Sequence, residues 1–204
     1  MAEIKVQDDN LVCVFCASRD GNDPVYLEAA ALLGSALAAS DYGLVYGGGS
    51  NGLMGQVARS VHESNGTVVG VMPRALMAVE GCADEIGRMV VVDGMHERKA
   101  MMNELARAFI ALPGGFGTLE ELLEITTWSM LSIHSKPVIV LNTNGYYDAL
   151  RGMITSAVDA GFVSGENKEI VVFCDTPEEA VKAIETYCAP SSRYGLDWKP
   201  KVAV

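Results

Sequence analysis

Ala108-Phe109-Ile110-Ala111-Leu112 runs straight into Pro113-Gly114-Gly115-Phe116-Gly117-Thr118-Leu119-Glu120-Glu121, after which a helical pattern continues to about Leu131. An apolar run of strand length, a glycine turn and a helix start form the strand–turn–helix unit of an α/β fold. Glycines let the backbone come close to a ligand, and the free N–H groups of a first helical turn suit an anion such as a phosphate. Thr118 and Glu121 have the spacing of a capping box, so Thr118 is expected to cap this helix. Glu121 then has two readings: it accepts the Thr118 backbone N–H, or it presents a carboxylate beside the bound anion.

Outward from this unit the same alternation recurs. Leu11 to Cys16 is a continuous apolar run, the kind found in a parallel sheet covered on both faces. A turn carrying Ser18 and Arg19 follows, and Asp23-Pro24 opens a helix to about Ser40. Gly43 to Tyr46 is a second strand ending in Gly47-Gly48-Gly49-Ser50-Asn51-Gly52-Leu53-Met54-Gly55, a second glycine junction into a helix, with Ser50 or Asn51 as its cap. Thr67 to Met72 and Arg88 to Val92 read as strands, separated by an irregular stretch with room for a short helix. Asp93 is expected to cap a helix over Gly94 to Arg107, with Met95, Met101, Met102 and Leu105 on its buried side. Beyond Leu131, Val138 to Asn142 and Ile170 to Phe173 are strands. An Asn144-Gly145 turn opens a helix containing Tyr146 and Tyr147, and Thr176-Pro177 opens the last helix. The pattern predicts one domain over 1–204, with loose ends at 1–10 and 189–204. Its fold class is α/β: a three-layer Rossmann-like fold around a mostly parallel sheet of about seven strands. Ligands bind such sheets where strand order switches, and the Leu11 and Ala108 strands are the expected sides of that switch. Ser18, Arg19 and both glycine loops would meet there.

A formal net charge of −11 argues against a nucleic-acid or anionic-membrane surface, although local cations could still hold a small anion. No apolar run reaches the length of a membrane span, and the first residues lack a secretory signal, so a cytoplasmic protein is expected. Five irregularly spaced cysteines do not make a disulfide framework. Cys13-x-x-Cys16 lies in one strand, where odd spacing sends the two side chains to opposite faces. No metal site and no cofactor are expected, and His62, His96 and His134 read as surface or capping histidines.

Neither glycine loop is a nucleotide fingerprint: the P-loop lysine is absent from both, and Gly47-x-Gly49-x-x-Gly52 follows the second strand rather than the first. Two glycine loops opening helices in one chain nevertheless point to an anionic ligand. Arg74 and Glu80 sit in the irregular connection, where binding loops are often found. Arg98 and Lys99, next to Glu97, read by themselves as a solvated helix face. In an acidic chain with anion-cradling turns they are also the natural charge supplement.

Pro113 to Glu121 matches the PGGxGTxxE signature of the Lonely Guy (LOG) proteins, cytokinin-activating phosphoribohydrolases. Met95-His96-Glu97-Arg98-Lys99 and the Gly47 to Gly55 loop also resemble that family, in the same order, over about Leu11 to Ala189. The resemblance implies hydrolysis of the N-glycosidic bond of an N6-substituted adenosine 5′-monophosphate to free base and ribose 5-phosphate. It further implies Arg98 and Glu121 as a catalytic pair, Gly115, Gly117 and Thr118 in the phosphate loop, and Lys99, Glu80 and Thr127 as substrate contacts. Ser18 is a further candidate contact from the expected loop cluster. The family also implies a homodimer, or a larger assembly, with sites near the interface. Related molybdenum-cofactor carriers hold a phosphorylated ligand without turnover, and Arg98 with Glu121 is the feature a pure carrier has no chemical reason to keep. A purely structural assembly subunit is a third, weaker reading.

Overall fold

A computed structural model describes residues 10–80 and 86–198, the side chains of 79 and 80 excepted. Seven strands form one sheet: β1 (Leu11–Phe15), β2 (Gly43–Tyr46), β3 (Val68–Pro73), β4 (Arg88–Val92), β5 (Ala106–Ala111), β6 (Val138–Leu141) and β7 (Val171–Cys174). Their order is β4-β3-β2-β1-β5-β6-β7 and every neighbouring pair is parallel. The order reverses between β1 and β5, as the two apolar runs implied. β1 registers Cys13 against Val45 on one side and Phe109 on the other.

Side-chain alternation along β1 builds both halves of the core. Val12 and Val14 join a cluster with helices α1 (Val25–Ala39), α2 (Gly52–Glu63) and α7 (Pro177–Thr186). Leu11, Cys13 and Phe15 join a second cluster with α4 (Met95–Leu105) and α5 (Phe116–Met130) on the opposite face. Cys13 and Cys16 accordingly fall in different clusters. A 3-10 turn, Arg74–Leu76, leads into the short helix α3 (Met77–Glu80), and α6 (Asp148–Asp159) follows β6.

Several local expectations are corrected. α5 begins at Phe116 with Gly115 as its N-cap, so Thr118 lies inside the first turn and no capping box forms with Glu121. A capping box does form at α7, where Thr176 Oγ1 accepts the Glu179 N–H at 3.2 Å and Glu179 accepts the Thr176 N–H. Gly94, not Asp93, caps α4; the Asp93 N–H instead donates to Glu97 Oε2 at 2.9 Å. α4 stops at Leu105 because the chain turns directly into β5 at Ala106, and Met95 is exposed at the helix start rather than buried. Tyr146 and Tyr147 precede α6 instead of belonging to it.

His134 is not a surface residue. Its ring is buried, Nε2 bonds to Ile125 O at 2.9 Å, and Nδ1 accepts the Lys136 N–H, which selects the Nε2–H tautomer. Burial pushes its pKa down to about 4. The described part of the C-terminal tail is not loose either. Arg193 donates to Ser129 O and His134 O, the Tyr194 N–H to Met130 O, and Trp198 Nε1 to Leu131 O. The Tyr194 and Trp198 donors answer the Met130 and Leu131 carbonyls at the C-terminal end of α5. Residues 1–9 and 199–204 lie outside the described residues.

Candidate active site

Three loops leave the carboxyl ends of β1, β2 and β5 and are tied to one another by backbone bonds. The Ala17 N–H donates to Pro113 O at 3.2 Å, and the Met54 N–H donates to Ala17 O at 3.1 Å. Gly52 takes φ +61°, and a Cβ there would come within 2.3 Å of Arg19 N, so only glycine lets the β2 loop press on the β1 turn. Between the loops lies a cleft of about 630 Å³, inside the range that holds small ligands. Ser18 and Arg19, Gly47, Arg98, and the turn from Pro113 through Thr118 line it, together with Glu120 and Glu121.

The Gly114–Thr118 turn forms one end of the cleft, with a geometry that suits an anion. The first N–H groups of α5 have no carbonyl one turn earlier to bond to, and the 15-residue helix adds its dipole to them. The side-chain positions of Gly115 and Gly117 face open space: beyond the adjoining residues and the helix's own backbone, no described atom lies within 4 Å. Packing within the described part of the chain therefore does not demand glycine at either. Thr118 is buried with its side chain against Gly114.

Opposite this turn stand two buried charges. Arg98 Nη2 lies 3.6 Å from Glu121 Oε1, and the two side chains are only 6% and 10% exposed. Removing both charges from water is costly, so a structural role alone would be an expensive use of them. Arg98 Nε is buried with no hydrogen-bond partner among the described residues, and Nη1 meets only Met95 Sδ at 3.9 Å. The guanidinium thus keeps donor capacity beside the cleft. Gly47 makes room for it: a Cβ at that position would sit 2.1 Å from Arg98 Nη2. The second glycine loop serves here by leaving a slot for the arginine.

Arg98 and Lys99 are both buried, which corrects the solvated-face reading. Lys99 does not line the cleft. Its Nζ bridges Glu120 at 2.5 Å and Glu124 at 2.8 Å, locking α4 to α5. Burial alone would lower the Lys99 pKa, but the two carboxylates outweigh it and leave it raised. Thr127 lies on an exposed face of α5, donating to Leu123 O, and is not brought to the cleft of its own chain. Glu80 ends α3, with its side chain outside the described residues; Arg74 is exposed.

Sequence reasoning missed much of the apolar wall: Tyr26, Leu76, Met54, Met95, Met102, Phe116 and Tyr146 line the cleft with the polar groups. Methionines at helical spacing signal core as readily as cleft, so only the glycine turn next to Phe116 offered a local clue. Cys16 also lines it. Burial first and the Glu121 carboxylate second push its thiol well above the ordinary range, so it offers a neutral thiol rather than a nucleophile.

A family model described as possible lysine decarboxylase matches residues 54–184. A cytokinin riboside 5′-monophosphate phosphoribohydrolase of Arabidopsis thaliana, LOG7, is 50% identical over 176 residues, covering 86% of this chain and 81% of the relative. The enzyme LOG of Oryza sativa subsp. japonica is 46% identical over 187 residues, covering 92% and 77%. Among solved structures, the molybdenum cofactor carrier protein of Chlamydomonas reinhardtii superposes with a TM-score of 0.66 at 22% identity, covering 87% of this chain and 96% of that one. That likeness speaks for the fold alone.

Proposed function

The chain belongs to the LOG family of cytokinin riboside 5′-monophosphate phosphoribohydrolases, a family of hydrolases, and from that premise we propose how its cleft works. The substrate is an N6-substituted adenosine 5′-monophosphate. The α5 N-terminus, with Gly115, Gly117 and Thr118, takes the phosphate, which places the ribose towards Glu121 and the base along the apolar wall. The observation that carries this reading is the buried Arg98–Glu121 pair facing an open glycine turn.

Breaking the ribosyl C–N bond builds positive charge on the sugar, as in glycoside hydrolysis. A fixed carboxylate in a water-poor site stabilises that charge strongly and can orient water against the anomeric carbon. Glu121 is the group for this. Arg98 holds the phosphate or the leaving base through charge-assisted hydrogen bonds. Overall, the water oxygen ends on C1′, and its hydrogens end on the new hydroxyl and on the released base. Ser18 completes the polar rim. Lys99 acts through Glu120, which itself lines the cleft, Glu80 is a further substrate contact, and Thr127, away from its own cleft, reaches substrate only from a partner protomer.

The protein acts as a homodimer. Phe116 and Met95 are exposed apolar residues lining the cleft, and exposed Leu123 and Thr127 share the face of α5 that carries Phe116, so a second protomer there would cover that face close to the site. Light scattering showing only monomer would contradict this. Cys13, Cys16 and Cys174 are free thiols, which suits a reducing cytoplasm. No described helix is long and apolar enough to cross a membrane.

The test is product analysis with isopentenyladenosine 5′-monophosphate, AMP and the unphosphorylated riboside in parallel. Base should be released from the monophosphates, with the riboside at least ~100-fold slower in kcat/KM, the discrimination expected when a site built for a polar group loses it. Equal rates on riboside and monophosphate would remove the phosphate-cradle reading.

A further inference from the structure

The glycine turn cannot hold itself in shape, since it has no regular backbone ladder beyond the end of β5. Its shape is imposed from outside, carbonyl by carbonyl. Leu112 O accepts the Tyr147 hydroxyl at 2.7 Å, Pro113 O accepts the Ala17 N–H at 3.2 Å, and Gly114 O accepts the Tyr146 hydroxyl at 2.6 Å. Three consecutive peptide planes are therefore anchored. No described peptide bond is cis, and in a trans plane the C=O and the following N–H point in opposite directions. Fixing the Gly114 carbonyl on Tyr146 thus fixes the direction of the Gly115 N–H at the mouth of α5.

Both hydroxyls come from one turn after β6. Asn144 and Gly145 take φ +54° and +70°, reversing the chain just before the tyrosines. Asn142 secures the turn, its Oδ1 accepting the Tyr147 N–H at 2.7 Å and its Nδ2 donating to Asp148 Oδ1 at 2.9 Å. The two rings meet edge to face with centroids 5.0 Å apart, and Tyr146 stands edge-on to Tyr26 at 5.9 Å. Tyr147 is buried, whereas Tyr146 lines the cleft and is 43% exposed. Burial pushes the Tyr147 hydroxyl well above its ordinary pKa, in keeping with a neutral donor.

We infer that Tyr146 and Tyr147 are positioning residues that preset the anion-binding turn, with Tyr146 setting the Gly115 amide directly. This rests on the phosphate reading given under Proposed function. A turn held before the ligand arrives loses little freedom on binding, so removing the hold weakens binding of the phosphate more than it slows the chemistry. Tyr146→Phe deletes one hydroxyl and keeps both ring contacts.

The experiment measures KM and kcat for isopentenyladenosine 5′-monophosphate and inhibition by ribose 5-phosphate, for wild type, Tyr146→Phe and Tyr147→Phe, well below each melting temperature. Tyr146→Phe should raise KM and the ribose 5-phosphate inhibition constant together by about 5–10-fold, the usual worth of one hydrogen bond, with kcat within about threefold. An inhibition constant equal to wild type, even alongside a lower melting temperature, would reduce both tyrosines to ordinary structural residues and overturn the inference. A wild type that ribose 5-phosphate does not inhibit would instead remove the phosphate reading, and this inference with it. If Tyr147→Phe does not fold, the half-exposed Tyr146 alone decides.

Discussion

Replacing Gly47 by alanine tests the slot that holds the candidate catalytic arginine without substituting any charged residue. The added Cβ would meet Arg98 Nη2 at 2.1 Å, against 3.4 Å at the near edge of ordinary contact, so the guanidinium must move by about 1.3 Å. The other close neighbour, Met54 Sδ at 3.2 Å, can give by the few tenths of an ångström required. A misplacement of about 1 Å at a reacting constellation costs on the order of 100-fold in rate. That corresponds to about 2.7 kcal/mol of lost transition-state stabilisation. Stability should change little, because what is displaced is the far end of a flexible side chain beside an open cleft. Initial rates on isopentenyladenosine 5′-monophosphate, with thermal melts in parallel, give both numbers. A kcat/KM within threefold of wild type would show that the position of Arg98 does not matter, and would refute the reasoning.

Two further perturbations probe the frame around the site. Burial of His134 lowers its pKa from 6.5 to about 4, so between these values the unfolded chain binds a proton that the native ring refuses. Stability should then fall as pH drops through that window, by up to about 3 kcal/mol from this residue. Denaturant titrations of wild type and His134→Gln from pH 7 to 4 should show a shallower fall in the variant, and parallel curves would remove His134 as the cause. Arg193→Ala removes the donor to Ser129 O and His134 O and a cation near the α5 C-terminus, and should lower stability by about 1–3 kcal/mol. An unchanged urea midpoint would mean that the tail rests on the helix without holding it.

The sheet was legible because its central strands are buried on both faces and therefore read as unbroken apolar runs, Leu11 to Phe15 being the clearest. The switch point followed, since the two glycine-rich turns and the Ser18 turn had to leave the same ends of adjacent strands. Helix starts were less legible. Thr118 and Glu121 have capping-box spacing, yet the glycines before them allow α5 to begin at Phe116, which moves both residues inside the helix. In that position Glu121 Oε1 lies 3.6 Å from Arg98 Nη2. Long-range ties were not legible at all. Nothing near Gly47 in sequence announces Arg98, and no spacing rule links Tyr146 to Gly114 across 32 residues. Such contacts depend on how separate strand–helix units stack. Local propensity cannot carry that information.

The central claim is that Glu121 acts on the sugar while the α5 turn holds the phosphate. The most direct measurement is single-turnover base release from isopentenyladenosine 5′-monophosphate by Glu121→Gln, with ribose 5-phosphate binding followed by calorimetry on the same preparation. The account predicts a loss of at least ~1,000-fold in release, the scale of an essential electrostatic group, with binding within about threefold of wild type. Turnover near the wild-type rate in a variant that still binds would contradict it.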